Sequence, residues 1–371
     1  MKNFRFIFYA AVVAFMAVAC DKDNPVIPAP EGGDPDYHGF FFLNEGQMGH
    51  NNASLEYFNL SNHTMSSGWW TSRNYGIRSQ FGDSGTDIMA YYDYVLVTLN
   101  GSNLLEICKR NGEHHKAVEI PACRRIAASG DFAYVSSYAN DGYVAKVHIE
   151  KGLLAGTCAT GHEPEGLAII GNKLYALNSC GYHTDYSGNG NNEEASISVI
   201  DLNTFTEVER VNLGIINAYS SLTIMPDGHS LFINSSGDYN GVAPKSIIFD
   251  TATLTVTKEF PQGGTYSTVY RGELYVFDTA FSYETYTTEV SGFVYDIFTD
   301  TVFEFPIKAE ALATITAPSG IWIHPTEGEV YIADKGDFTT PGQLFRFDLA
   351  GTLKEKYSTG VCPSLLAWDL R

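Results

Sequence analysis

Tyr175-Ala176-Leu177-Asn178 is a short β-run that starts on an aromatic residue and ends on an amide. The same shape, aromatic or aliphatic first and Asn, Asp, Ser or Gly last, recurs along the chain. Upstream it is Phe41-Phe42-Leu43-Asn44, Leu96 to Asn100 and Tyr134-Val135-Ser136-Ser137. Downstream it is Phe232-Ile233-Asn234-Ser235, Tyr275-Val276-Phe277-Asp278 and Tyr331-Ile332-Ala333-Asp334. The seven starts lie 55, 38, 41, 57, 43 and 56 residues apart, so a unit of about 48 residues, repeated seven times, accounts for residues 37–371.

Each run except the first is preceded by a short apolar strand after a Pro- or Gly-containing turn. These are Asp87 to Ala90, Arg125 to Ala128, Gly166 to Ile170, Leu222 to Met225, Thr268 to Tyr270 and Gly320 to Ile323. The missing seventh copy, Leu365 to Trp368, sits at the C-terminus. Each run is followed by an alternating strand, a tight polar turn and another strand, as where Ser196 to Phe205 turns into Glu207 to Leu213. Two-residue periodicity punctuated by Gly, Asn and Asp is the hairpin signature. Four strands in each of seven units predict an all-β, seven-bladed β-propeller. It is closed by the C-terminal strand joining the N-terminal blade, which leaves no free sheet edge. A β-sandwich or a solenoid is the alternative.

Composition agrees. The 371 residues hold 13% aromatics, with 23 Tyr and 23 Phe, which supply a large core and exclude a disordered acidic chain. Only 18% are charged, yet 43 acids against 23 bases give a formal −20. A polyanion would be repelled, so no nucleic-acid partner is expected. The 35 Gly and 14 Pro fit many turns.

Residues 1–19 read as an export signal: Lys2 and Arg5, then an apolar stretch from Phe6 to Ala19, too short for a comfortable membrane span. Ala17-Val18-Ala19-Cys20 resembles a bacterial lipobox, with Cys20 as the lipidated residue, against an ordinary signal peptide with an incidental Cys. Cleavage removes both cations and leaves −22. Asp21-Lys22-Asp23 resembles the signal that sends Bacteroidetes lipoproteins to the outer cell surface. Residues 20–36, rich in Pro, read as a lipidated flexible tether, and 37–371 as the propeller. The expected location is the outer membrane, exposed at the cell surface, with lipid as the only membrane attachment. Cys108, Cys123, Cys158, Cys180 and Cys362 are odd in number and form no CxxC, so most should be buried small hydrophobes.

Propeller geometry sorts the loops onto two faces. One set is short: Ser129-Gly130-Asp131, Gly171-Asn172-Lys173, Arg271-Gly272-Glu273 and Thr326-Glu327-Gly328. The other is long: Asn44 to Asn52, Tyr138 to Tyr143, Asn178 to Glu194, Ser235 to Lys245, Thr279 to Val290 and Lys335 to Gly342. The long loops carry Tyr182, His183, Tyr186, Tyr239, Phe281, Tyr283, Tyr286 and Phe338, and such aromatics suit a large, partly flat, polar ligand. The same residues would also cap the blades. Asp87, Arg125, Glu165 and Tyr219 of the inner strands add polar groups near that rim. Asp185, Asn189, Asn191 and Glu193 make an oxygen-rich loop that could bind Ca²⁺, although its spacing is not that of an EF-hand; a solvated loop is the alternative. No GxSxG, HExxH, P-loop or Rossmann motif occurs, and no repeated His or carboxylate ring. The expectation is a non-enzyme with no cofactor and no metal, although the fold itself also hosts enzymes.

Gly161-His162-Glu163-Pro164-Glu165-Gly166-Leu167-Ala168, followed by Gly171-Asn172-Lys173-Leu174-Tyr175, resembles the YncE-like seven-bladed propellers. Phe42-Leu43-Asn44-Glu45-Gly46, Ala53 to Phe58, Ser319 to Pro325 and Thr340-Pro341-Gly342-Gln343-Leu344 resemble the BtuG-like surface lipoproteins of Bacteroidetes. That resemblance implies capture of vitamin B12 or another corrinoid and its transfer to a TonB-dependent outer-membrane transporter. On that reading the ligand-binding candidates are Asn44, Glu45, Tyr138, Tyr182, His183, Tyr239, Tyr283 and Phe338. Aromatics would stack, Asn would pair with ligand amides, and Arg125 would meet the phosphate of a nucleotide loop. A glycan-binding or protein-interaction propeller is the alternative, with a propeller hydrolase or lyase behind it.

Overall fold

The computed structural model describes residues 37–185, 187, 192–282, 287–307 and 309–370. They form twenty-eight strands in seven four-stranded antiparallel sheets arranged as a β-propeller. The inner strands of blades 1 to 7 are Pro363–Leu370, Gly85–Tyr91, Cys123–Ser129, Pro164–Ile170, Thr223–Ile224, Tyr266–Tyr270 and Pro318–Ile323. Each of the seven quoted β-runs lies in a second strand, apart from Asn100, which follows the strand end at Leu99, and the third and fourth strands follow as hairpins. No helix among the described residues is long and apolar enough to cross a membrane.

Closure occurs where the repeats require it. The last strand, Pro363–Leu370, pairs antiparallel with Tyr37–Asn44, matching Trp368 to Phe40 and Leu366 to Phe42. Side-chain alternation explains why that second strand is apolar on both faces. Phe40 and Phe42 pack toward blade 7 with Tyr331, Ala333 and Leu344. Phe41 and Leu43 pack toward blade 2 with Val95 and Val97. All four are fully buried, each contributing about 1.5–3 kcal/mol of hydrophobic stabilisation.

The outer hairpins of blades 4, 5 and 6 share one turn. Asp201, Asp250 and Asp296 each accept backbone N–H groups two and three residues on, and the residue after the turn Thr has positive φ. All five cysteines of the propeller are buried and unpaired. One loop departs from expectation. The stretch 279–290 is mostly strand, because Glu273–Ser282 and Thr287–Asp296 keep pairing from Thr279↔Val290 to Ser282↔Thr287. Its Thr, Val and aromatic content has the β preference to extend a hairpin.

Candidate functional site

The face carrying the long loops opens into a central cavity of about 310 Å³. The leading residues of the inner strands surround it, among them Thr86, Arg124, Arg125, Tyr266 and Ser319. Strict alternation would send Arg124 and Arg125 to opposite faces of their strand. A register shift between Cys123 and Ile126 breaks the alternation, and both arginines line the cavity. Similar shifts occur at Gly85/Asp87, Pro164/Leu167 and Pro318/Gly320. A bulge of this kind re-aims a side chain at the rim of a closed sheet. Sequence reasoning named Arg125 and missed Arg124, because nothing local marks the bulge.

The two guanidiniums share one carboxylate. Arg124 Nε lies 2.8 Å from Glu165 Oε2 and its Nη2 3.0 Å from Oε1. Arg125 Nε reaches Oε1 at 3.2 Å, while its Nη1 donates to the Thr86 carbonyl at 2.6 Å. Tyr138 donates its hydroxyl to Glu165 Oε2 at 2.5 Å. Burial alone would raise the Glu165 pKa, but the two arginines and these hydrogen bonds outweigh it and hold the group below the usual carboxylate range. Burial likewise opposes the charge on Arg124, and Glu165 outweighs it, so this cation is more firmly protonated than a free arginine. The Asp87 carboxyl is pushed up by burial, against the pull of Arg125.

Arg124 also lies over two rings, 5.0 Å from the Tyr138 centroid and 5.2 Å from that of Tyr219, whose hydroxyl accepts from its Nη2. On the opposite rim Lys335 Nζ binds Glu45 Oε2 at 2.6 Å. These are the first residues after the second strands of blades 7 and 1. Arg124, Arg125 and Lys335 thus face the cavity of a strongly acidic protein, with Glu45 the one acid lining it among the described residues and Glu165 behind.

Tyr219 separates this cavity from a second cleft of about 220 Å³, lined also by Tyr138, Glu163, Ser179, Tyr182, Asn217 and Tyr239. Tyr138 and Tyr182 meet edge to face at 6.0 Å. Glu163, itself buried, accepts the Tyr182 backbone N–H at 2.8 Å and so fixes the loop that presents Tyr182. Tyr182 and Tyr239 are 83% and 77% exposed, so both present ring surface to solvent at the cleft. Ser179 Oγ is buried at the cleft with no hydrogen-bond partner among the described residues. Glu163, Cys180, Asn217 and Tyr239 all hold positive φ, a concentration of backbone strain around this cleft.

The expected residues therefore divide. Tyr138, Tyr182 and Tyr239 come together on the cleft, and Glu45 and Arg125 on the cavity. His183 stands beside the cleft, stacked on His162. Phe338 is half-exposed and lines neither space. Asn44 is fully buried inside blade 1, donating to Ser54 Oγ at 2.9 Å, and does not reach the face. The repeated polar end of the second strand is a blade-tying position. Asn178 binds Ser196 and Ser198, Asn234 accepts from the Gly264 N–H, and Asp334 accepts from those of Thr316 and Ala317. Tyr283 and the lipidation candidate Cys20 lie outside the described residues, as do Tyr186, Asn189, Asn191 and Tyr286.

Chemically, the site can hold an anionic group on paired guanidiniums and an aromatic or flat polar group on tyrosines next door. No protein-family description matches the chain, and no curated protein does. Solved structures do resemble it. A quinoprotein alcohol dehydrogenase-like protein from Bacteroides thetaiotaomicron superposes with TM-score 0.62 at 11% identity, covering 91% of this chain and 79% of the other. A 6-phosphogluconolactonase-like protein from Bacteroides uniformis gives 0.60 at 13%, covering 89% and 99%. Hydrazine synthase from Kuenenia stuttgartiensis gives 0.60 at 16%, covering 76% and 89%. At such identities the likeness is one of fold.

Proposed function

We propose that the protein is a surface lipoprotein that captures a corrinoid without turnover, as the BtuG-like resemblance implies. Anchored through lipid at Cys20, it passes its cargo to a TonB-dependent outer-membrane transporter. The observation that carries the reading is the Arg124–Arg125 pair set beside a tyrosine cleft, with Tyr219 common to both. A corrinoid offers one phosphate, flat conjugated surface and a fringe of amides. The phosphate matches the guanidinium N–H groups that Glu165, Tyr219 and Thr86 leave over. The flat surface matches Tyr182 and Tyr239, and the amides match Ser179 and Asn217. The ligand is larger than either space, so it would lie across both, with each taking one part.

The test is gel filtration of the full-length chain with cyanocobalamin. Red colour co-eluting with the protein near one equivalent supports the reading. Colourless protein, with an acidic oligosaccharide retained instead, would move the site to glycan capture.

A further inference from the structure

Beside the tyrosine cleft, three side chains meet that no sequence motif links. His162 comes from the connection between blades 3 and 4, while His183 and Glu193 come from the loop between the second and third strands of blade 4. His162 Nδ1 lies 3.0 Å from both carboxylate oxygens of Glu193. His183 Nδ1 lies 3.4 Å from Glu193 Oε2. The two imidazoles stack at 4.2 Å between centroids with 11° between planes. One donor atom from each of the three residues falls inside a 4.8 Å sphere of mutual distances. We propose that His162, His183 and Glu193 form a binding site for a divalent transition ion of the zinc class, at the lip of the cleft and independent of the corrinoid reading.

The argument is geometric first. Zinc holds nitrogen and oxygen ligands at about 2.0–2.1 Å, and in a tetrahedron this sets neighbouring ligand atoms about 3.3 Å apart. The two His–Glu193 distances of 3.0 and 3.4 Å bracket that spacing; an imidazole lone pair lies in its ring plane, so one of the two stacked rings must turn out of the stack for both nitrogens to meet the same ion. The far nitrogen of His183, Nε2, faces Glu163 Oε1 at 3.6 Å. A carboxylate on the second ring nitrogen is the usual outer partner of a metal-bound histidine, since it fixes the tautomer and the ring orientation. Glu163 is itself held by the Tyr182 N–H, which ties this arrangement to the cleft.

The donor set decides the ion. Two imidazoles and one carboxylate suit zinc, cobalt, nickel or copper, whereas calcium and magnesium take oxygen shells. Three protein ligands at a solvent-facing position leave the fourth for water or a donor atom of a bound molecule. The ion also has a mechanical consequence. His183 and Glu193 bracket residues 184–192, and the Glu193 N–H already reaches the His183 carbonyl at 3.3 Å. An ion there would staple the base of this loop to the connection preceding blade 4, fixing Tyr182 at the same time.

The experiment uses the full-length chain, stripped with chelator and kept free of corrinoid. Zinc is titrated calorimetrically, and cobalt is added separately to read its visible ligand-field bands. The expected result is one tight equivalent of zinc, cobalt bands of four- or five-coordinate intensity, and a melting temperature that rises with zinc. The His162→Ala/His183→Ala variant should lose that equivalent, the bands and the thermal shift. Glu193→Gln, which keeps the shape of the wild-type side chain and one of its two acceptor oxygens, should weaken zinc at least tenfold. Variants that match wild type in stoichiometry and thermal shift would overturn the assignment, and so would tight calcium binding with no zinc binding.

Discussion

Arg124 and Glu165 face each other across the seam between blades 3 and 4 in a two-point contact, Nε to Oε2 at 2.8 Å and Nη2 to Oε1 at 3.0 Å. Glu165 is fully buried and the Arg124 side chain is 11% exposed. The pair therefore does two jobs: it joins adjacent blades and it aims a guanidinium plane at the cavity.

Removing the carboxylate should be costly. Glu165→Gln leaves Arg124 in a poorly solvated place without its carboxylate and Arg125 with only Asp87 beside it, and loss of one partner of a buried ion pair costs about 3–5 kcal/mol. Urea unfolding followed by tryptophan fluorescence is the check. A loss below about 1 kcal/mol would show that solvent, and not Glu165, balances the two arginines.

Ligand affinity should fall with the tyrosines while stability does not. Tyr182 and Tyr239 are mostly exposed, so the Tyr182→Ala/Tyr239→Ala variant should melt like wild type. If each ring contributes about 0.5–1.5 kcal/mol of contact energy, cyanocobalamin binding should weaken roughly fivefold to 150-fold. Arg124→Ala should weaken it further, and the loss should shrink at high salt.

Glu56 supplies a pH signature. It is 3% exposed, and burial raises its pKa to about 7, against hydrogen bonds from Asn44 and the Gly360 N–H. Its carboxyl is thus protonated in the folded chain over a range where the unfolded chain has released the proton. This contribution is complete below the ordinary carboxylate pKa and declines as pH rises through about 7, by about 3 kcal/mol at most. Glu56→Gln should flatten the stability curve between pH 5 and about 8; an unchanged slope would assign it to other groups.

Closure should be energetically central. Trp368 of the last strand packs against Phe40 at 5.4 Å, His324 at 5.1 Å and Tyr331 at 5.9 Å between ring centroids. Trp368→Ala should cost about 3 kcal/mol. Deleting residues 363–371 exposes the edge of Tyr37–Asn44 and should drive association visible by light scattering.

The blade pattern was legible because strand periodicity, turn residues and repeat spacing are local properties. The run Tyr175 to Asn178 and its six copies all became second strands, and the separation of Leu365 to Trp368 from the other inner strands forecast the ring closure. The face that carries Tyr138, Tyr182 and Tyr239 followed from the loop lengths. The stretch 279–290 was misjudged as a loop because length alone does not distinguish a loop from an extended hairpin.

By itself, then, the sequence determined seven four-stranded blades, their order and the decorated face, since backbone hydrogen bonding and side-chain alternation act between near neighbours in the repeat. Only the tertiary structure decided which groups meet on that face. A bulge turned Arg124 to the side of Arg125, the blade interior enclosed Asn44, and two separate loops brought His162 to His183 and Glu193. Bulges and positive-φ loop residues set side-chain direction through contacts made by distant strands. Those contacts do not exist until the ring has closed.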